Sequence, residues 1–292
     1  MRNIKIYPII FSICLISFTV YVLLDTFVIS EVYEKVESNS ESNDVIGDVN
    51  IAESLYEDDN ITINLSTIKK YDTTIYIADV VLNDSKYLKS AFANNSYGKN
   101  ITATTSEIAK NNNAILAING DYYGVQKSGY VLKNYKIYRN VSAGDKEDLV
   151  IYGDGSFEII NESEISLEEL VLKGAKELLS FGPALIINGE IIVSENEEVG
   201  KAMASNPRTA IGIIDNNHYI FVVSDGRTEE SVGLSLYELA YVMKEYGVKT
   251  LYNLDGGGSS SMYFNGNLIN KPTTNGRSIK EREVSDIVYI GY

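Results

Sequence analysis

The hydrophobic pattern changes character twice along the chain. Residues 6–24 carry no charged side chain, and at 1.5 Å rise per residue such a run roughly spans a bilayer core, which predicts a membrane helix over 6–24. Residues 30–60 are rich in Ser, Asn and Glu with scattered apolar positions, the pattern of a solvated stalk with a short helix near the membrane. From residue 61 onward, short β-branched and aromatic runs alternate with Gly, Asn and Asp, which predicts many short strands. These include Thr73–Leu82, a buried strand at 114–118, strands within 130–138, 149–152 and 157–160, and a pair formed by 209–214 and 219–224. Ala184–Ile187 and 190–193 flank Asn188-Gly189, a type I′ hairpin signal. Residues 85–94 and Thr105–Asn111 read as short helices, the second capped by Thr105 or Ser106. The strongest helix is 235–246: Ser235 with Glu238 forms a capping box, Leu236, Leu239, Ala240 and Met243 share a face, and Gly247 ends it. The fold class expected is α+β, a single domain of many short strands in mixed sheets with a few helices.

Charge sharpens this division. The formal net charge is −15, and residues 30–60 hold ten acids against Lys35 alone. A phosphate-rich partner demands a basic surface, so a nucleic acid is not expected. Arg2 and Lys5 precede the apolar run and Asp25 follows it; the basic flank stays in the cytoplasm and the rest of the chain lies outside. Lacking a small-x-small cleavage site after Leu24, the segment reads as an uncleaved, single-pass signal-anchor, with a cleaved signal peptide as the alternative. The expected organisation is an anchor at 1–29, an acidic flexible stalk at 30–60 and a folded domain at 61–292. Cys14 is the only cysteine and lies in the apolar run, which excludes an intrachain disulfide and a thiolate metal cluster.

Candidate chemistry lies where apolar strands end beside glycine. Asn119-Gly120-Asp121, Ser224-Asp225-Gly226-Arg227 and Asn253-Leu254-Asp255-Gly256-Gly257-Gly258-Ser259 each deliver a carboxylate into a turn. Asp-Gly is ordinary turn chemistry, but three such sites in one domain can converge, and paired carboxylates cleave glycosides. Arg208, set by Pro207 at the start of a strand, suits an anionic ligand; Arg282 does so less clearly among its charged neighbours. His218 is the only histidine and reads as a hairpin tip. Histidine-based triads and multi-histidine metal sites are thereby disfavoured. No metal-binding set or cofactor is expected; Ca²⁺ or Mg²⁺ on oxygen ligands stays compatible with the acids, although no Asp-x-Asp-x-Asp-Gly loop is present.

Taken in order, 119–123, 181–185, 206–212, 224–227, 235–240, 253–260 and 281–285 make the chain resemble the phosphodiester glycosidase family over roughly 70–292, most specifically through Arg-Thr-Ala-x-Gly at 208–212 with Leu-Asp-Gly-Gly-Gly-Ser at 254–259. The family includes bacterial exopolysaccharide-associated proteins of the cell envelope. The resemblance implies hydrolysis of a sugar-1-phosphodiester, N-acetylglucosamine-1-phosphodiester-like, leaving the phosphate on its carrier. It carries over Asp121, Asp225 and Asp255 as catalytic candidates, with Asp255 foremost, and Arg208, Thr209, Gly226, Gly256, Gly257, Ser259 and Arg282 as substrate-binding candidates. Departures are Ser224 and Glu283, where the family often has Val and Pro, and an extra stretch at 273–280. The alternative is a non-catalytic surface protein that binds anionic glycans or assists exopolysaccharide assembly.

Overall fold

The computed structural model describes residues 6–36, 49–195 and 205–292. Its spine is a nine-stranded sheet running Glu190–Ile191, Ala184–Ile187, Thr250–Asn253, Arg208–Asp215, His218–Ser224, Thr73–Leu82, Ile61–Lys70, Leu55–Glu57, Asn50–Ala52. Central strands bury both faces, so alternate residues enter different cores. Tyr219, Phe221 and Val223 join one cluster with Tyr76, Ala78 and Val80; Ile220 and Val222 join another with Ile75 and Ile77. This two-sided burial is why these strands read as continuous apolar runs rather than alternating ones.

The second core is closed by the helix Leu236–Glu245, which lays Leu239, Ala240 and Met243 against the sheet. Ser235 accepts from the Glu238 amide and Glu238 reaches back to the Ser235 amide, the capping box expected. The first core is shared with a five-stranded sheet, in the order Asn267–Leu268, Met262–Phe264, Leu116–Asn119, Asp286–Ile290, Leu88–Phe92, and with a three-stranded sheet centred on Glu147–Tyr152. The class is α+β. Among the described residues every ladder is antiparallel, so the sheets are not mixed as expected.

Several local expectations change. Residues 85–94 form no α-helix: Ser85–Tyr87 is one 3₁₀ turn and Leu88–Phe92 a strand held by the Asp286–Ile290 ladder. The cap of Thr105–Asn111 is Thr104, one residue before the candidates, with Glu107 completing a capping box. Ser166 and Glu169 make a third box on the unanticipated helix Leu167–Leu172. The 30–60 segment is not wholly a stalk. Glu31–Lys35 pairs with Ser96–Lys99, and Asn50–Ala52 and Leu55–Glu57 extend the large sheet. Backbone pairing carries these strands while most of their side chains stay in water. Residues 37–48 of the expected stalk lie outside the described residues. The apolar run forms a helix, Ile6–Phe27, with no buried residue.

Candidate active site

Four strands from two sheets end at one place. The ends of Thr250–Asn253 and Leu116–Asn119 meet the start of Arg208–Asp215 and the end of His218–Ser224. Asn119 ties them together. Its Nδ2 donates to the Asp255 carbonyl at 2.6 Å, and its Oδ1 accepts from the Thr209 hydroxyl at 2.8 Å and the Ser261 amide at 3.3 Å. The Asp255 amide donates to the Gly120 carbonyl and the Gly257 amide to the Pro207 carbonyl. The glycine run is therefore pinned on both sides, and Asp255 enters the site from a fixed backbone.

A cavity of about 170 Å³ opens here, lined by Phe181, Asn206, Arg208, Arg227, Asn253, Asp255, Gly256, Gly257 and Arg282. Among the described residues Asp255 is its single lining carboxylate. Its Oδ2 accepts from Ser259 Oγ at 2.5 Å and from Arg282 Nη2 at 2.9 Å, and Arg282 Nε donates to the same serine hydroxyl at 2.9 Å. Burial pushes the Asp255 carboxyl above its ordinary range, and the Arg282 charge and the Ser259 bond cancel only part of that rise. Arg208 is almost fully buried, with Nε donating to the Leu234 carbonyl at 2.8 Å. Its amide donates to the Ser224 hydroxyl at 3.0 Å, a contact that the valine usual at that position does not offer.

Arg227 was not among the candidates, although the Asp-Gly-Arg run contains it. It has a left-handed backbone (φ 65°), and its guanidinium donates to Asn206 Oδ1 at 2.9 Å and to the Thr274 carbonyl at 2.6 Å. A Cβ on Gly257, itself at φ 63°, would stand 2.7 Å from Arg227 Nη2, so the absent side chain is what lets this arginine reach the cavity. Burial first, and then the Arg282 charge, lower the Arg227 guanidinium's pKa. The extra stretch at 273–280 thus has a local role: Thr274 holds Arg227 and packs on Gly258.

The other sequence candidates divide sharply. Asp121 is not in the cavity. It is buried, accepts from the amides of Ser180 (2.9 Å) and Tyr123 (3.2 Å), and lies 3.7 Å from Lys133 Nζ, which also contacts Asp286 at 2.9 Å. Burial pulls Lys133 down, but Asp121, Asp286 and Glu177 outweigh it and the net shift is upward. Asp286 is raised to about 6, by burial and then by the Asp121 charge. Asp225 is also occupied: Oδ1 accepts from the Lys271 amide at 2.8 Å and Oδ2 from the Tyr76 hydroxyl at 3.0 Å. It lines a separate cavity with Tyr76, Thr228 and Lys271. Thr209 is fully buried and acts through Asn119. Gly226 packs where a Cβ would meet Pro207 at 2.7 Å. The structure therefore gathers Asp255, Arg208, Arg282, Ser259, Gly256 and Gly257, and leaves Asp121, Asp225, Thr209 and Gly226 as supports around them.

Comparisons with known proteins identify relatives of the chain. A family model described as phosphodiester glycosidase matches residues 112–291. The SPbeta prophage-derived uncharacterized protein YomE of Bacillus subtilis is 28% identical over 203 residues, covering 67% of this chain and 31% of that protein. Mouse N-acetylglucosamine-1-phosphodiester alpha-N-acetylglucosaminidase is 34% identical over 109 residues, covering 33% of this chain and 21% of that enzyme. The chain thus spans a third or less of either relative. In fold it is similar to the zebrafish enzyme of that name, whose catalytic domain was solved auto-inhibited by its pro-peptide, with a TM-score of 0.63, 21% identity and coverage of 91% of this chain and 89% of that one. A hypothetical protein from Synechocystis gives a TM-score of 0.57 at 16% identity, covering 80% and 62% of the two chains.

Proposed function

The chain belongs to the phosphodiester glycosidase family, and from that premise we propose that it hydrolyses a sugar-1-phosphodiester, N-acetylglucosamine-1-phosphodiester-like, on an extracytoplasmic glycan or envelope carrier. One observation carries this reading: three arginines, Arg208, Arg227 and Arg282, line one small cavity whose single carboxylate among the described residues is Asp255. Such an excess of guanidinium groups suits a phosphate, whose charge they hold while it grows during bond cleavage.

The bond that breaks joins the anomeric carbon to a phosphate oxygen. Water supplies hydroxyl to that carbon and a proton to the departing phosphate, leaving free sugar and a phosphate monoester on the carrier. Phosphate is a stable leaving group, with a second pKa of about 6, so no second carboxylic acid is needed to protonate it as a glycoside would require. This accounts for a cavity with one carboxylate. Asp255 serves the anomeric carbon, as nucleophile or as base for water. Arg282 releases part of its hold on Asp255 to take the phosphate, with Arg208 and Arg227 on the same anion and Ser259 keeping Asp255 oriented. The proposed arrangement in the cell is a single-pass membrane protein with this domain outside.

The test is release of free sugar from the methyl ester of N-acetylglucosamine α-1-phosphate by the full-length protein in detergent. Asp255→Asn and Arg208→Ala should each lower kcat/KM by about 10²-fold or more. Absence of release from a panel of sugar-1-phosphodiesters would overturn the reading.

A further inference from the structure

The apolar helix does not end in a free tether. Asp25, in its last turn, pairs with Lys99 at 3.2 Å. Asn100 Nδ2 donates to the carbonyls of Thr26 (3.2 Å) and Ile29 (3.0 Å), and Ser30 Oγ donates back to the Asn100 carbonyl at 2.7 Å. The chain then enters a strand at once, Glu31 lying opposite Lys99. These contacts fasten the end of the helix to the domain by both side chain and backbone.

Beside this collar lies a second cavity, of about 550 Å³. Its lining includes Phe27, the last residue of the helix, with Val28, Tyr122 and Val125, beside the polar Ser30, Asn100, Thr102, Glu283 and Ser285, and Arg282. All four apolar side chains are exposed. Arg282 lines this cavity and the Asp255 cavity alike. A phosphodiester seated on Arg282 with its sugar toward Asp255 therefore directs its other ester group along Phe27, Val28, Tyr122 and Val125, toward the end of the helix.

We propose that this second cavity receives the lipid alcohol of a membrane-embedded glycosyl phosphodiester, so that the substrate is a lipid-linked sugar phosphate cleaved at the bilayer surface. The assignment rests on the phosphodiester glycosidase reading and on Ile6–Phe27 spanning the membrane. A helix of 22 residues extends roughly 33 Å, enough to cross a hydrocarbon core of about 30 Å and leave Phe27 at its edge. Phe27, Val28, Tyr122 and Val125 give a hydrocarbon chain leaving the bilayer apolar surface to follow from the end of the helix toward Arg282, which keeps part of that chain out of water. The collar fixes the distance: with Phe27 and Arg282 on one cavity, the phosphate sits within a side chain or two of the span.

The experiment uses the full-length protein in phosphatidylcholine vesicles and two esters of N-acetylglucosamine α-1-phosphate, one with farnesol and one with methanol. The farnesyl ester should be cleaved with a kcat/KM at least about tenfold higher. Val28→Glu and Phe27→Ser should each lower cleavage of the farnesyl ester by about tenfold while leaving the methyl ester unchanged; the unchanged methyl ester also reports that the variants fold. Equal rates on the two esters, or variants that slow both alike, would overturn the lipid assignment and leave the phosphodiester glycosidase reading standing. Cleavage of neither ester would overturn both.

Discussion

Asp255 and Asp121 start from the same sequence device, a carboxylate delivered by a buried strand into a turn beside glycine, and end in opposite circumstances. Both are shielded from water and both are paired with a cation. The difference is where the cation stands. Lys133 is as buried as its partners, with 2% of its side chain exposed, whereas 41% of Arg282 is exposed while Asp255 keeps 13%. A buried cation between two carboxylates is locked, because any movement strands a charge in a low dielectric. A cation at the rim of a cavity can exchange one anion for another at little cost. The first arrangement holds strands together; the second is equipped to meet a ligand.

The sharpest way to break this comparison is to remove each cation in turn. Lys133→Met leaves Asp121 and Asp286 buried without their partner, and should cost about 3–5 kcal/mol, read as a fall in urea midpoint or a failure to fold. Arg282→Ala should fold normally, its thermal midpoint close to the parent's, yet lose about 10²–10³-fold in kcat/KM. If Arg282→Ala unfolds the protein, or Lys133→Met is innocuous, the division into a locked and a responsive pair is wrong. The same pair sets a pH dependence. Burial holds the Asp255 pKa above its ordinary 3.8, and the reaction needs the carboxylate, so the acid limb of kcat/KM should lie above pH 3.8 in the parent.

A third carboxylate differs from both: among the described residues it forms no ion pair, and the Lys146 charge is only a minor pull on it. Asp148 is fully buried, faces Glu162 and Ser180, and makes no ion pair among the described residues. Burial, and then Glu162, push it up to about 9 from 3.8. The unfolded chain releases this proton above about pH 4 while the folded one keeps it until about pH 9, so in that window folding binds a proton and stability falls with rising pH, by up to about 1.4 kcal/mol per unit. Asp148→Asn carries no such proton. It should match the parent near pH 4 and exceed it by several kcal/mol near pH 8, measured by urea unfolding at the two pH values.

What could be read from the sequence was whatever the local chain decides. The capped helix after Ser235, the Asn188-Gly189 hairpin with both residues at positive φ, and the exit of Asp255 into three glycines all follow from a few neighbouring residues. The positions of Asp121 and Asp225 do not. Asp121 is neutralised by Lys133, which it shares with Asp286, 165 residues away along the chain, and Asp225 is claimed by Tyr76 and Lys271 from distant segments. No spacing rule reveals a partner that only the assembled sheets bring near. Arg227 was missed for a related reason: its reach into the cavity depends on the missing side chain of Gly257, thirty residues on. Residues 31–35 and 50–57 read as stalk because their acids face water; their pairing is a property of the backbone.

The strand Asp286–Ile290 runs down the middle of the five-stranded sheet, with Leu116–Asn119 on one side and Leu88–Phe92 on the other. Two strands from far earlier in the chain are therefore joined only through this one. Arg282 and Asp286 arrive with that segment, the first to meet Asp255 and the second to complete the Lys133 pair. Losing residues 282–290 would part Leu88–Phe92 from the rest of the sheet and take Arg282 from Asp255 at one stroke. The same short stretch of chain joins the sheet and completes the site, so damage to either is damage to both.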